Sequence, residues 1–103
     1  MSRRIATAYG VCNLTPLPGC QQVVISHGVF TEVSQRNKGY GKKDHASRLG
    51  TMRALMYDCA ICTVDETNAA EIHILVSNGW HKVHTFTSRA TGHVLGIWVR
   101  NIP

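Results

Sequence analysis

Between Gln22 and Val33 the chain reads QVVISHGVFTEV, rich in β-branched and aromatic residues. That stretch predicts a long strand, or two short ones broken near His27-Gly28. From Lys42 to Ala60 the spacing of apolar positions changes. Leu49, Met52, Met56 and Cys59 or Ala60 recur at three and four residues, which predicts a helix with a single apolar stripe. Arg48, Thr51, Arg53 and Asp58 are expected to supply polar cover elsewhere on it. Gly50 inside this helix costs about 1 kcal/mol relative to alanine, so it is expected to permit close packing or the approach of a cofactor.

The flanking segments follow the same rules. Residues 4–14 (RIATAYGVCNL) alternate and suggest a strand. Two prolines and a glycine make Thr15 to Gly19 a turn, so these first two strands form an antiparallel hairpin. Ile61 to Val64 is a short strand. Asn68 is an N-cap for a second helix over Ala69 to Ser77, and Asn78-Gly79 ends it with glycine at the left-handed position. Strands at about His81–Ser88 and His93–Arg100 form a closing hairpin. The order is β-β-α-β-α-β-β, an α/β (α+β) arrangement. Its strand–helix–strand unit implies a parallel pair with a right-handed crossover inside a mixed, mostly antiparallel sheet.

The length of 103 residues suits one domain spanning 1–103. A hydrophobic fraction of 44% with 17% charged residues is that of a soluble globular chain. No stretch approaches the ~18 apolar residues of a membrane span, and the segment after Arg3-Arg4 is too short and polar for a secretion signal. A cytoplasmic protein is therefore expected. The net charge of +5 favours an anionic partner. The basic residues are dispersed apart from Arg36, Lys38, Lys42 and Lys43, which argues against nucleic acid as the main ligand. Cys59-Ala-Ile-Cys62 leaves a helix rather than opening one, the wrong polarity for a thioredoxin-type site. Cys12 and Cys20 lack the spacing of a zinc knuckle. The four cysteines read as small apolar residues, and no metal is expected.

Arg36-x-x-Gly39-x-Gly41 stands between a strand and a helix. Glycines there let a ligand touch the main chain, and the free amides and positive dipole end of the following helix make an anion cradle. A plain glycine turn is the competing reading. A P-loop needs four residues between its glycines, and a dinucleotide fingerprint needs a third glycine where this chain has Asp44.

Gln35-Arg36-Asn37-Lys38-Gly39-Tyr40-Gly41 resembles the Q/R-x-x-G-x-G/A signature of the GNAT (Gcn5-related) N-acetyltransferases. Thr63 to Ala70 is similar to the family's strand end, where Asn then Ala opens the next helix, and Ser77-Asn78-Gly79-Trp80 resembles its helix ending in Gly-Phe. Order and spacing agree from about Val23 to Trp80 and on through the closing hairpin. The resemblance implies a GNAT-like sheet with a splayed central parallel pair. It implies acetyl-CoA as cofactor, with its pyrophosphate held at Arg36, Lys38, Gly39, Tyr40, Gly41 and Lys42. The pantetheine would pair with Phe30, Thr31 and Val33, and Asn68 would touch the CoA arm or orient its helix.

The resemblance also implies direct attack by an amine on the thioester, which needs a base and a stabilised leaving thiolate. Many family members carry a tyrosine four residues before the glycine of the Gly-Phe element; here that residue is Leu75. His73 is a candidate substitute, although two residues of helix turn it by about 200°. Tyr40 and Tyr57 lie close to the motif helix. Glu32 is the best candidate base, with a solvated carboxylate or a partner for Arg36 as its competing role. Asp65 and Glu66 read as turn and capping residues, His27 lies near the splay, and Trp80 and Trp98 read as core.

Only about 22 residues precede the long strand, where the family has a further strand and two helices, so the likeness is to a minimal member. An open acceptor side is expected, suited to an amine on a folded protein or closed by a second subunit in a homodimer. Such economy suits a viral or mobile-element enzyme modifying a host protein in the host cytoplasm. The rival reading is a weak or inactive GNAT-like protein that binds CoA or a partner protein. Acetylation of an aminoacyl-tRNA is a third.

Overall fold

A computed structural model gives the fold, and the structure describes residues 2–6, 10–31 and 40–103. The side chains of residues 29–31, 40 and 41 are outside that description. Six strands form one sheet in the order β1-β2-β3-β4-β6-β5. The strands are β1 (Arg3–Ala6), β2 (Gly10–Leu17), β3 (Cys20–Thr31), β4 (Cys59–Asp65), β5 (His81–Thr87) and β6 (Val94–Asn101); α1 (Tyr40–Ala54) follows β3 and α2 (Ala69–Ser77) follows β4. Every neighbouring pair is antiparallel except β3 and β4.

The long opening strand expected over 4–14 is two strands, so the order is β-β-β-α-β-α-β-β. Strand β2 runs on to Leu17, because the turn is made by Pro18 and Gly19 alone, with Leu17 opposite Cys20. Strand β3 is continuous, as one of the two sequence readings had it, but is not regular. Val11 pairs with Phe30 and Asn13 with His27, which leaves Gly28 and Val29 opposite Cys12 as a β-bulge. Gly28 has φ +62°, and a Cβ there would stand 2.5 Å from Asn13 Nδ2. Glycine is thus required by both backbone angle and space.

Helix α1 stops at Ala54, short of the expected Ala60. The Tyr57 N–H donates to the Met52 carbonyl and the Met56 N–H to that of Arg53. This is a Schellman ending with Met56 in the left-handed position at φ 66°. The side chain that extended the apolar stripe on paper is 82% exposed. Cys59 and Ala60 belong to β4. Helix α2 matches its expected bounds. The Asn68 side chain accepts from the Glu71 N–H, and Gly79 (φ 83°) ends the helix as the Trp80 N–H donates to the Leu75 carbonyl.

Alternate residues of β2, β3, β4 and β6 enter the core. Leu14, Val24, Ala60, Val64 and Trp98 join Leu49 and Met52 of α1 and Leu75 of α2 in one cluster, with Trp80 and Ile102. Both tryptophans are core residues, as expected. Cys59 and Cys62 stand three apart on one strand, roughly 10 Å at about 3.3 Å per residue, too far for a disulfide. Among the described residues all four cysteines are free.

Two backbone choices, one in α1 and one just after it, are poor for stability. Gly50 is exposed with nothing within 4 Å of a Cβ, so close packing among the described residues does not account for it. Met56 holds a backbone angle that favours glycine. Gly50→Ala and Met56→Gly are each expected to raise unfolding stability by about 1 kcal/mol. A urea midpoint unchanged by either substitution would contradict this account.

Candidate functional site

Pairing between β3 and β4 is limited to Val23, Val24 and Ile25 against Cys59, Ala60 and Ile61. Both strands continue beyond these three rungs, β3 to Thr31 and β4 to Asp65. They do so unpaired with each other, so the sheet splits. A cavity of about 280 Å³ opens in the split. Ser26, His27 and Gly28 line it from β3, Cys62 to Asp65 from β4, Arg48 from α1, and Asn68 and Glu71 from α2. The bulge at Gly28 therefore forms part of its wall.

Arg48 was expected to be solvent cover, but it is 5% exposed. Asp44, His45, Arg48, Leu49 and Met52 are all buried, so the inward face of α1 is polar at its N-terminal half and apolar afterwards. Arg48 Nη2 lies 3.6 Å from Glu71 Oε1 and 2.7 Å from His45 Nδ1. The Trp80 Nε1–H points at His45 Nε2 at 3.0 Å. A neutral imidazole has one acceptor nitrogen, so His45 accepts from one of these donors at a time. The charged guanidinium is the stronger donor. Burial pushes the imidazole pKa down to about 4, and Arg48 and Arg100 push it the same way.

Ser26 and Arg48 line the cavity, and among the described residues the buried Ser26 Oγ and Arg48 Nε have no hydrogen-bond partner. Burial drives the Cys62 thiol up to about 12, so it is a neutral lining group at ordinary pH and a poor nucleophile. At the rim, Asp65 accepts from the backbone and hydroxyl of Thr67 and lies 2.7 Å from His93 Nδ1. The Thr67 bonds, foremost, hold its pKa near 2. Glu66 pairs with Lys82 Nζ at 3.0 Å. Asp65 and Glu66 thus hold the turn and its neighbours.

Of the residues singled out in the sequence, Asn68 and His27 line the cavity. Asn68 also caps α2, and the Nε2 of His27 is 2.7 Å from the Thr15 hydroxyl. His73 is exposed and does not line the cavity. Leu75 is 1% exposed in the core. Tyr57 packs against that core from the α1–β4 connection. Lys42 is exposed in the first turn of α1. Phe30 and Thr31 end β3, and Tyr40 and Gly41 begin α1. Glu32, Val33, Arg36, Lys38 and Gly39 lie outside the described residues. Ser26, His45 and Arg48 were not foreseen. His45, Arg48 and Met52 fall on one face at helical spacing, and that was the available signal.

No family model and no curated protein matches the sequence. Solved structures match the fold. The ribosomal-protein-S18-alanine N-acetyltransferase of Escherichia coli is similar over 99% of this chain and 68% of its own, with 10% identity and a TM-score of 0.78. A Gcn5-related N-acetyltransferase of Kribbella flavida is similar over 90% of this chain and 60% of its own, with 18% identity and a TM-score of 0.78. A Salmonella typhimurium protein provisionally assigned as an acetyltransferase, solved with its cofactor acetyl-CoA, is similar over 92% and 58%, with 16% identity and a TM-score of 0.79. The chain spans less than two thirds of the length of the last two. It has the α+β fold of the GNAT N-acetyltransferases.

The neutral His45 sets a pH dependence. Its pKa is lower in the folded chain than the 6.5 of a free imidazole. Below pH 6.5 the unfolded chain takes up a proton that the folded one refuses, so stability falls with pH from 6.5 to about 4. The full loss from this group is roughly 3 kcal/mol. Urea unfolding should show the decline between these pH values, and His45→Gln should flatten it. An equally steep decline in His45→Gln would assign it to another group.

Proposed function

We propose that this chain, with its GNAT fold, transfers an acetyl group from acetyl-CoA to an amine by direct attack. The observation that carries the reading is the cavity in the β3–β4 split, walled on one side by a bulge. CoA offers amide carbonyls and a thioester of suitable size for such a channel. The free edge of β3 beyond Ile25 offers main-chain groups to the pantetheine amides, as an added strand would.

Residues Arg36, Lys38, Gly39, Tyr40, Gly41 and Lys42 precede or open α1, a helix of fifteen residues. Its first amides and dipole favour a pyrophosphate there. Asn68 fixes the start of α2 at the cavity wall. Acetyl-CoA when bound supplies the activated acyl group. The neutral Cys62 thiol argues against an acylated cysteine and for direct transfer. Glu32, on the segment after β3, is the proposed base.

The proposed acceptor is an amine on a protein. Support comes from the similar Escherichia coli protein, which is named for acetylating an alanine of a ribosomal protein. A second reading, a CoA-binding or partner-binding protein with little turnover, is favoured by Leu75, which is sealed in the core and offers no proton to the leaving group.

Calorimetry with acetyl-CoA and mass spectrometry of a lysate given labelled acetyl-CoA test both readings. Binding together with new protein acetylation is the expected result. Gly41→Glu should abolish binding by placing a carboxylate where phosphate belongs. Binding without transfer would favour the second reading, and no binding at millimolar acetyl-CoA would sink both.

A further inference from the structure

Both helices lie on one side of the sheet. Leu49 and Met52 of α1 and Leu75 of α2 meet Leu14, Val24, Ala60, Val64 and Trp98 there. Alternation along each strand sends the residues between these to the opposite side. Strand register lines them up in rows. Thr15 pairs with Ile25, Ile25 with Ile61, Ile61 with Val99, and Val99 with His81. The next row is Thr63, Ile97 and His84, and the one after it Asp65, Leu95 and Phe86.

Ile25, Ile61, Leu95, Ile97 and Val99 neither belong to the core cluster nor pack against it. Each is half-buried, and among the described residues no helix stands over them. A sheet with water on one side keeps that side polar. Strand β6 does not, because Leu95, Ile97 and Val99 all turn away from the helices. The strand charges turn the other way. Lys82, opposite Trp98, reaches Glu66, and Arg100, opposite Ala60, donates to the Asn78 carbonyl. On the bare side the described strands carry only Arg4, on the edge strand β1, and Asp65, in a corner beside Thr67 and His93. An apolar centre with its charges at the rim is the composition of a protein contact.

Area and charge together choose the occupant. Strands β2, β4, β5 and β6 have seven or eight residues each. At about 3.3 Å per residue and about 4.8 Å per strand, the six-stranded face covers roughly 700 Å². That is close to the ~800 Å² each partner gives to a standard interface. A single helix, about 10 Å across, would leave most of it open. A second copy covers it whole with a face in the same need, and neither copy brings a strand lysine to the contact.

We propose that the bare side of the sheet docks a second copy of this chain. The two sheets pack face to face about a two-fold axis, as the layers of a β-sandwich do, about 10 Å apart. Ile61, Ile97 and Val99 lie at the centre of the contact, with Arg4 and Asp65 at its rim. The contact rests on the sheet alone and is independent of the acetyl-transfer reading.

Sedimentation equilibrium of the chain from about 1 to 100 μM should show a dimer, since contacts of this size hold at about 1 μM or tighter. Thr63→Lys and Ile97→Lys each set a charge against the same charge of the second copy, and should weaken the dimer more than about a hundredfold. Thr63 is exposed in a single copy, so its lysine spares the fold even where that at Ile97 does not. A cooperative thermal transition checks that it does. Val94→Lys, on the helix side of the same hairpin and 43% exposed, should leave the dimer intact. A monomer at about 100 μM would overturn the proposal. So would a dimer that neither Thr63→Lys nor Ile97→Lys weakens, or one that Val94→Lys weakens as much. A monomer that binds phosphatidylcholine vesicles until Thr63→Lys prevents it would overturn the proposal too, and assign the face to lipid.

Discussion

The early end of β3–β4 pairing governs the rest of the structure. Three rungs are enough to align the strands, and beyond them each strand presents unpaired main-chain groups toward the other. Unpaired strand edges are normally a liability that proteins cover. Here the split is bounded instead by α1, α2 and a bulge, which turns the open edges into the walls of a cavity. Gly28 is the point where backbone angle and crowding by Asn13 both forbid a side chain, and it fixes where β3 bends.

The polar half of the α1 face follows from this opening. A helix packed on an intact sheet would bury an apolar stripe throughout. Next to the split, Arg48 and His45 replace that stripe and reach Glu71 and Trp80. Buried charge of this kind adds little to stability compared with well-packed apolar residues. Further along the same face, Leu49 and Met52 return to ordinary packing.

Much of the fold was legible in the sequence. Asn68 and Gly79 marked both ends of α2 because their local chemistry, a side-chain acceptor and a left-handed backbone, is decided within a few residues. The end of α1 was hidden because a methionine occupies the position where glycine is usual, and that same methionine prolonged the apolar spacing. The division of residues 4–14 into two strands was hidden because alternation continues across it. At the site, Asn68 and His27 were legible from their place beside the expected split. Arg48 was not, because an arginine on a helix is read as solvent-facing unless its neighbours at three and four residues are also weighed.

The sheet can also be seen as two independent halves. Strands β1, β2 and β3 form a meander, and β4, β6 and β5 pair antiparallel in the other half, with seven rungs between β4 and β6. Only three rungs join the halves, and they bring together segments far apart in the chain. The joint is thus the least reinforced seam of the sheet and the one with the largest loop to close. The cavity lies along that seam and takes its walls from both sides. A molecule seated there is a rivet across the joint, and its binding free energy adds directly to the cohesion of the whole domain.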